Sequence, residues 1–254
     1  MSDWVWSTAF YSAALVALAG AFGVIWPLRW IHRQSRLRAL VMVVGGVVVV
    51  IIIAVITPSP QSLAGTRSGI DEFMPEFHFR ERHTIIVSAS PERVYAAIKS
   101  VSADEIALFN LFTSIRRFGR PGPEGILNAP GKQPILDVAT RTGFVLLLDR
   151  APSDVVIGAV VVAPPGTRAP GRALTRDDFM TLTRPGFGKA TMNFAIDDLG
   201  NGTTRIETET RVLATDAVAL KRFTPYWRTI FPGSWILRAT WLRAIKTRAE
   251  KASS

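Results

Sequence analysis

Three histidines and no cysteine in 254 residues leave little metal or nucleophile chemistry open to this chain. Thiolate metal sites and disulfides are excluded outright. His32 sits among arginines, while His78 and His83 lie five apart in a strand-like stretch. That spacing puts the pair on opposite strand faces, so they cannot share one metal ion. A serine–histidine site would need His78 or His83 as base, and the sequence places no serine beside either. HExxH, Walker, GxGxxG and GxSxG patterns are absent. No catalytic residue, metal ligand or cofactor site is therefore expected.

The polar residues that remain are few. Thr208 and Thr210 fall on the otherwise apolar face of a strand that also carries Ile206 and Val212. Buried hydroxyls need partners, and a bound ligand could supply one; threonine is also a favoured strand residue. Glu209 and Arg211 share the opposite face, where a solvated surface pair is the default.

The elements that hold these residues can be read from pattern. Strand-like alternation begins at FHFRERHTIIV (77–87). A short helix follows from Ser90, with Pro91 at its first position and Val94, Ala97, Ile98 and Val101 on one face. A second helix is expected over 102–118, capped by Ser102. Gly119 to Pro134 has loop character. Strands are expected at Ile135–Arg141, Thr142–Asp149 and Val155–Ala163, and a second Pro/Gly-rich loop then leads into Asp178–Arg184. Strong strand signals at KATMNFAIDDL and TTRIETETRVLAT flank a hairpin turn at 198–202. From Asp216 the chain reads as a long helical region with Leu220, Phe223, Trp227 and Ile230 at helical spacing, interrupted at Pro232-Gly233.

Upstream of all this lie two long apolar stretches, expected as helices over about 4–28 and 39–57. About 20 helical residues cross a hydrocarbon core, so each can span a bilayer. Trp4, Trp6, Trp26 and Trp30 mark the two ends of the first. The start MSDW has no basic residue and the apolar run is too long for a cleaved signal peptide. Ala13, Ala17 and Ala21, with Gly45 and Gly46, suit close approach of two helices in a hairpin. Arg29, Arg33, Arg36 and Arg38 cluster between the helices; downstream only Arg67 stands beside Asp71, Glu72 and Glu76. The positive-inside rule then predicts a multi-pass cell-membrane protein with a cytoplasmic arginine loop and an extracytoplasmic C-terminal domain. The expected organisation is a membrane anchor at 1–58, a Pro/Ser/Gly-rich linker at 59–75 and one domain at 76–254.

The chain has a net charge of +10, and the terminal helix carries Lys221, Arg222, Arg228, Arg238, Arg243, Lys246, Arg248 and Lys251. A basic helix beside a membrane suits anionic headgroups, or simply solvent. Nucleic-acid motifs are absent, so no nucleic-acid partner is expected.

The order strand, two short helices, antiparallel strands and one long C-terminal helix resembles the α+β helix-grip fold of the START-like or SRPBCC superfamily. That group includes polyketide cyclases, lipid-transfer domains and plant pollen allergens. The resemblance is carried by HTIIVSASPERVYAAI (83–98), ETETRVLATD (207–216) and RFTPYWRTIFPGSWILRATWLRAIKTRAE (222–250), and covers residues 76–254. It implies a curved antiparallel sheet around the long helix, here preceded by a transmembrane α-hairpin, with an apolar cavity between sheet and helix. Cavity candidates are Met192, Phe194, Ile206, Thr208 and Thr210 from strands and Phe223, Tyr226, Trp227, Ile230 and Phe231 from the helix, although the same pattern suits a filled core. The implied partner is a lipid or apolar small molecule held by a membrane-anchored binding protein. The alternatives are a polyketide cyclase- or dehydratase-like enzyme, with acid–base work falling to Arg211, Tyr226 or Asp149, and a scaffold for membrane partners.

Overall fold

In the computed structural model, residues 3–25, 36–63, 65, 68–116, 119–120, 124–126, 128–167 and 173–251 are described. They divide into two compact units: Met1–Thr57 with Lys221–Pro232, and Pro58–Leu220 with Gly233–Ser254.

The first unit contains α1 (Asp3–Ile25) and α2 (Arg36–Val55), both long and apolar enough to cross a membrane. Residues 26–35, with Trp26, Arg29, Trp30, His32 and Arg33, lie outside the described residues, as does Arg67. The helices pair antiparallel through small residues. A Cβ on Gly20 would meet the Ala39 carbonyl oxygen at 2.7 Å, and one on Gly46 would meet that of Ala13 at 2.7 Å. Backbones this close leave room only for glycine. Gly45, by contrast, faces open space.

The last element, α8 (Ala217–Lys251), contributes Lys221–Pro232 to this unit. The sequence predicts a break at Pro232-Gly233, yet the helix runs through both Pro225 and Pro232. Proline has no N–H to bond the carbonyl four residues back. For Pro232 that carbonyl belongs to Arg228, and the buried Ser7 Oγ donates to it at 3.0 Å. The Tyr11 hydroxyl donates to the neighbouring Thr229 carbonyl at 2.6 Å. The Ser7 hydroxyl from α1 thus takes the place of the missing donor, and Tyr11 adds a hydrogen bond beside it. The Arg228 guanidinium packs 4.4 Å above the Trp6 ring and 3.7 Å from Asp3.

The second unit begins in the stretch expected as a linker, which is folded. It holds β1 (Gln61–Ser62) and α3 (Ile70–Phe73) ahead of β2 (Glu76–Phe77), and β1 pairs with β2. Then come β3 (Phe79–Val87), α4 (Pro91–Ser100), a 3-10 turn at Ala103–Glu105, α5 (Phe109–Arg116), α6 (Ile135–Thr142), β4 (Phe144–Arg150), β5 (Asp154–Val162), α7 (Arg176–Thr181), β6 (Gly188–Gly200) and β7 (Thr203–Ala214). Five strands form one antiparallel sheet in the order β3-β7-β6-β5-β4. Bulges break its register between Leu146 and Leu148, Val160 and Val162, and Asp198 and Gly200, and bulges bend strands. With the long C-terminal helix, this is a helix-grip arrangement of α+β class.

Alternation sorts the sheet into two faces. Val155, Ile157, Met192, Phe194 and Ile206 point inward and pack with Val94 and Ile98 of α4, Ile135 and Leu136 of α6, and Trp241, Leu242 and Ile245 of α8. Val145, Leu147 and Val156 point outward, where Ile70, Phe73, Met74, Phe77 and Phe179 cover them. That second layer explains why residues 59–75 fold: Ile70 and Met74 are almost fully buried.

Two further expectations change. Ile135–Arg141 is helical, because Ile135, Leu136, Val138 and Ala139 form one buried helical stripe and Gly143, at φ 144°, ends it. The expected helix over 102–118 is divided at Leu108, whose φ of 63° interrupts the helical path. A capping box between Ser102 and Glu105 starts the first part.

The Ser7 contact yields a test. In the detergent-purified full chain, Ser7→Ala should cost about 1–2 kcal/mol by stranding the Arg228 carbonyl. Ser12→Ala, on the exposed side of α1, should leave the unfolding midpoint unchanged. Pro232→Ala restores the backbone N–H and should cancel most of the Ser7→Ala loss in the double variant.

Candidate functional site

The inner face of β3 is apolar at Phe79, Ile85 and Val87 and polar at Glu81 and His83, which are 3 % and 9 % exposed. His83 Nε2 lies 2.9 Å from Glu81 Oε1, and Ser234 Oγ of α8 donates to Glu81 Oε2 at 2.8 Å. An ionised carboxylate only accepts, so against it His83 Nε2 carries the hydrogen. The His83 ring lies 5.1 Å from that of Trp235. Across the β3–β7 ladder, Thr208 stands opposite His83 and Thr210 opposite Glu81. Arg238, one helical turn beyond Ser234, touches the Met192 sulfur and packs over Trp241 at 5.3 Å. A carboxylate held between an imidazole and a hydroxyl can pass a proton from one to the other. The sequence did carry a signal for it: an acid and a histidine two residues apart on an otherwise buried strand face. Ser234 had none, because only the fold brings it to Glu81.

The residues expected to line a cavity do not form one set. Met192, Phe194 and Ile206 are core, with Ile206 0 % and Phe194 1 % exposed, and the Phe194 ring meets Trp241 edge-on at 5.3 Å. Side chains that a water-sized probe cannot touch leave no room for a guest. Thr208 donates to the Asn193 carbonyl at 2.7 Å, so its partner lies within the sheet. Thr210 is half-buried. Phe223, Tyr226, Trp227, Ile230 and Phe231 belong to the first unit. There Trp227 packs against Phe223 and Phe231, and Phe231 against Trp4.

A cleft of about 790 Å³ opens elsewhere in the second unit. It lies where α6 ends, β4 begins, β5 ends and α7 approaches, with Phe144, Val160, Leu174, Leu182 and Phe187 as its apolar lining. Its volume is within the ~300–1,000 Å³ usual for pockets that enclose a small organic ligand. Nothing in the sequence marks it, because its walls come from five separated segments.

The outer face holds a buried ionic network instead of the expected solvated pair. Arg211 Nε meets Glu209 Oε1 at 2.5 Å, its Nη2 meets Asp71 Oδ1 at 2.7 Å, and its Nη1 donates to the Met74 carbonyl at 2.7 Å. Arg80 holds Glu209 through two further bonds. With Glu209 3 % and Arg211 1 % exposed, water is shut out by the 68–77 segment. Arg211 is thus committed to structure. Asp149 is held by Tyr95 and Lys99. Burial raises its carboxyl, but the bonds from Lys99 and Tyr95 outweigh burial and keep it below the ordinary value. Tyr226 lies in the first unit, so the three groups expected to share acid–base work lie in three different surroundings. Among the described residues no cluster could hold a metal ion.

No protein-family model matches the chain, and no curated protein matches its sequence. Solved structures similar to it include a hypothetical protein from Helicobacter pylori, 9% identical with a TM-score of 0.34, covering 74% of this chain and 98% of that one. An aromatase/cyclase from Streptomyces sp. R1128 is 14% identical with a TM-score of 0.29, covering 69% of this chain and 96% of that one. At these values the likeness assigns no residue a role.

Asp154 gives a pH prediction. Its carboxyl, 4 % exposed, accepts from the Gly69 N–H at 2.6 Å. Burial pushes it up to about 6, against the pull of that N–H, Arg150 and Asn193. Between the ordinary 3.8 and about 6 the folded chain holds a proton that the unfolded chain releases. Stability should therefore rise as pH falls from 7 towards 4, by at most about 3 kcal/mol. Asp154→Asn, which keeps an acceptor for Gly69, should flatten that dependence and raise the unfolding midpoint at pH 7.5.

Proposed function

We propose that this chain is a membrane-anchored binding protein for a hydrophobic small molecule or lipid, which occupies the cleft beside Phe144 and Phe187. The cleft carries the reading: it has ligand-sized volume, an apolar patch of Phe144, Val160, Leu174, Leu182 and Phe187, and polar groups beside it that could orient a ligand.

The anchor is supported by what α1 and α2 leave uncovered. Leu15, Leu18, Phe22, Val41, Ile51 and Val55 are all more than half exposed. Apolar surface of this extent costs about 25 cal/mol per Å² in water and nothing in a hydrocarbon core. On this reading the helix connection is cytoplasmic and the domain lies on the other side, which the positive charge of Arg36 and Arg38 at the start of α2 supports.

Ala163 lines the cleft and is exposed. Ala163→Trp should fill the space without disturbing the core and weaken binding of a pyrene-labelled alkyl probe about tenfold. Unchanged probe affinity would remove the cleft from the account. Mass spectrometry of the detergent-purified chain should identify a co-purifying apolar molecule.

A second reading, proton transfer on an enolisable polyketide-like substrate, is favoured by the Glu81–His83–Ser234 cluster. It expects deuterium exchange at the α-carbon of an acetoacetyl thioester, abolished in Glu81→Gln. Equal exchange by that variant would end this reading.

A further inference from the structure

The cleft is apolar within and cationic at its rim, and its two arginines are not equivalent. Arg141 is held by Glu124 and by Gln133 Oε1 at 2.6 Å. Arg184 packs over the Phe187 ring at 5.1 Å, and among the described residues no carboxylate pairs with it. The acid in the lining, Asp178, accepts from the Thr175 N–H at 3.0 Å and hydroxyl at 2.6 Å in the helix cap. A ring face does not engage the N–H fork as a carboxylate does, so the guanidinium over Phe187 keeps N–H donors for a flat or tetrahedral oxyanion.

Three of the four threonines of the lining sharpen the point. Thr140 donates to Leu136 O at 3.0 Å, Thr142 to Val138 O at 2.6 Å and Thr181 to Asp177 O at 2.7 Å. Each has spent its one hydrogen on a helix carbonyl and offers a ligand only lone pairs. Of the two cationic donors in the lining, Arg184 is the one without a carboxylate partner among the described residues.

We propose that the ligand of this cleft is a molecule with an apolar body and a single anionic head, a carboxylate or a phosphate monoester, and that Arg184 binds the head. This rests on the reading that the cleft is the binding site. The apolar lining of Phe144, Val160, Leu174, Leu182 and Phe187 takes the body, and the Arg184 fork sets the orientation. Neutral molecules with the same body lose that contact and leave the rim charge unmatched.

The test uses the full chain in nanodiscs of neutral phosphatidylcholine, with pyrene-dodecanoic acid and pyrene-dodecanol as probes. The acid should bind about tenfold more tightly than the alcohol, the effect of one charge-assisted contact. Arg184→Gln should erase that preference and leave alcohol binding unchanged, and Arg184→Lys should keep part of it. Arg141→Gln should alter the ratio less than Arg184→Gln. An acid-to-alcohol ratio unaltered by Arg184→Gln would overturn the proposal while leaving the cleft as the binding site. Alcohol binding unaffected by Ala163→Trp would remove the binding site itself. Competition with palmitate and with lysophosphatidic acid tells a carboxylate from a phosphate head; equal competition by a neutral monoacylglycerol would overturn both.

Discussion

The carbonyl oxygens of Arg228 and Thr229 lie where Pro232 would ordinarily end a helix. A proline in a helix interior removes a hydrogen bond, crowds the carbonyl four residues back and costs several kcal/mol. Here the Ser7 hydroxyl donates to the Arg228 carbonyl that Pro232 leaves without a donor, and the Tyr11 hydroxyl donates to its neighbour at Thr229. The result is one uninterrupted α8 that supplies side chains to both compact units: Phe223, Trp227, Arg228 and Phe231 to the first, Trp241, Leu242 and Ile245 to the second.

In the second unit a five-stranded sheet is buried on both faces by different means. The inner face excludes water with aliphatic and aromatic packing, and tolerates Glu81 because His83 and Ser234 satisfy its two oxygens. The outer face combines the apolar patch around Phe179 with an ionic network centred on Arg211. Buried charges are costly unless paired, and each Arg211 nitrogen has an oxygen partner from Glu209, Asp71 or the Met74 carbonyl. Asp154 is less well provided. The pull of Gly69, Arg150 and Asn193 does not offset burial, which pushes its carboxyl up to about 6.

Space for a ligand follows from this division. The cleft lies at the margin of the sheet, where α6 stops at Gly143 and the loop after β5 leads to α7. The packed inner core and the cleft are thus distinct: the first is filled by Phe194, Ile206 and Trp241, and the second is lined by strand ends and loops.

Much of the architecture was legible in local pattern. Clean alternation predicted β6 and β7 nearly to the residue, Ser90-Pro91 predicted the start of α4, and small residues on two uncharged runs predicted a close-packed pair of helices. Local pattern failed where distant residues intervened. Ile135–Arg141 has β-like composition but takes the helical path that buries its stripe against the inner core. Residues 59–75 read as a linker because they are rich in Pro, Ser and Gly, and Ile70, Phe73 and Met74 are buried only by a sheet face formed elsewhere. Glu209 and Arg211 read as a surface pair because the sequence does not say what covers them. By itself, then, the sequence determined periodicity, turns, the two apolar helices and the class of fold, since these depend on neighbours a few residues apart. Tertiary structure alone decided which face was covered, how Pro232 was accommodated and where a ligand could fit, because those outcomes depend on groups brought together from across the whole chain.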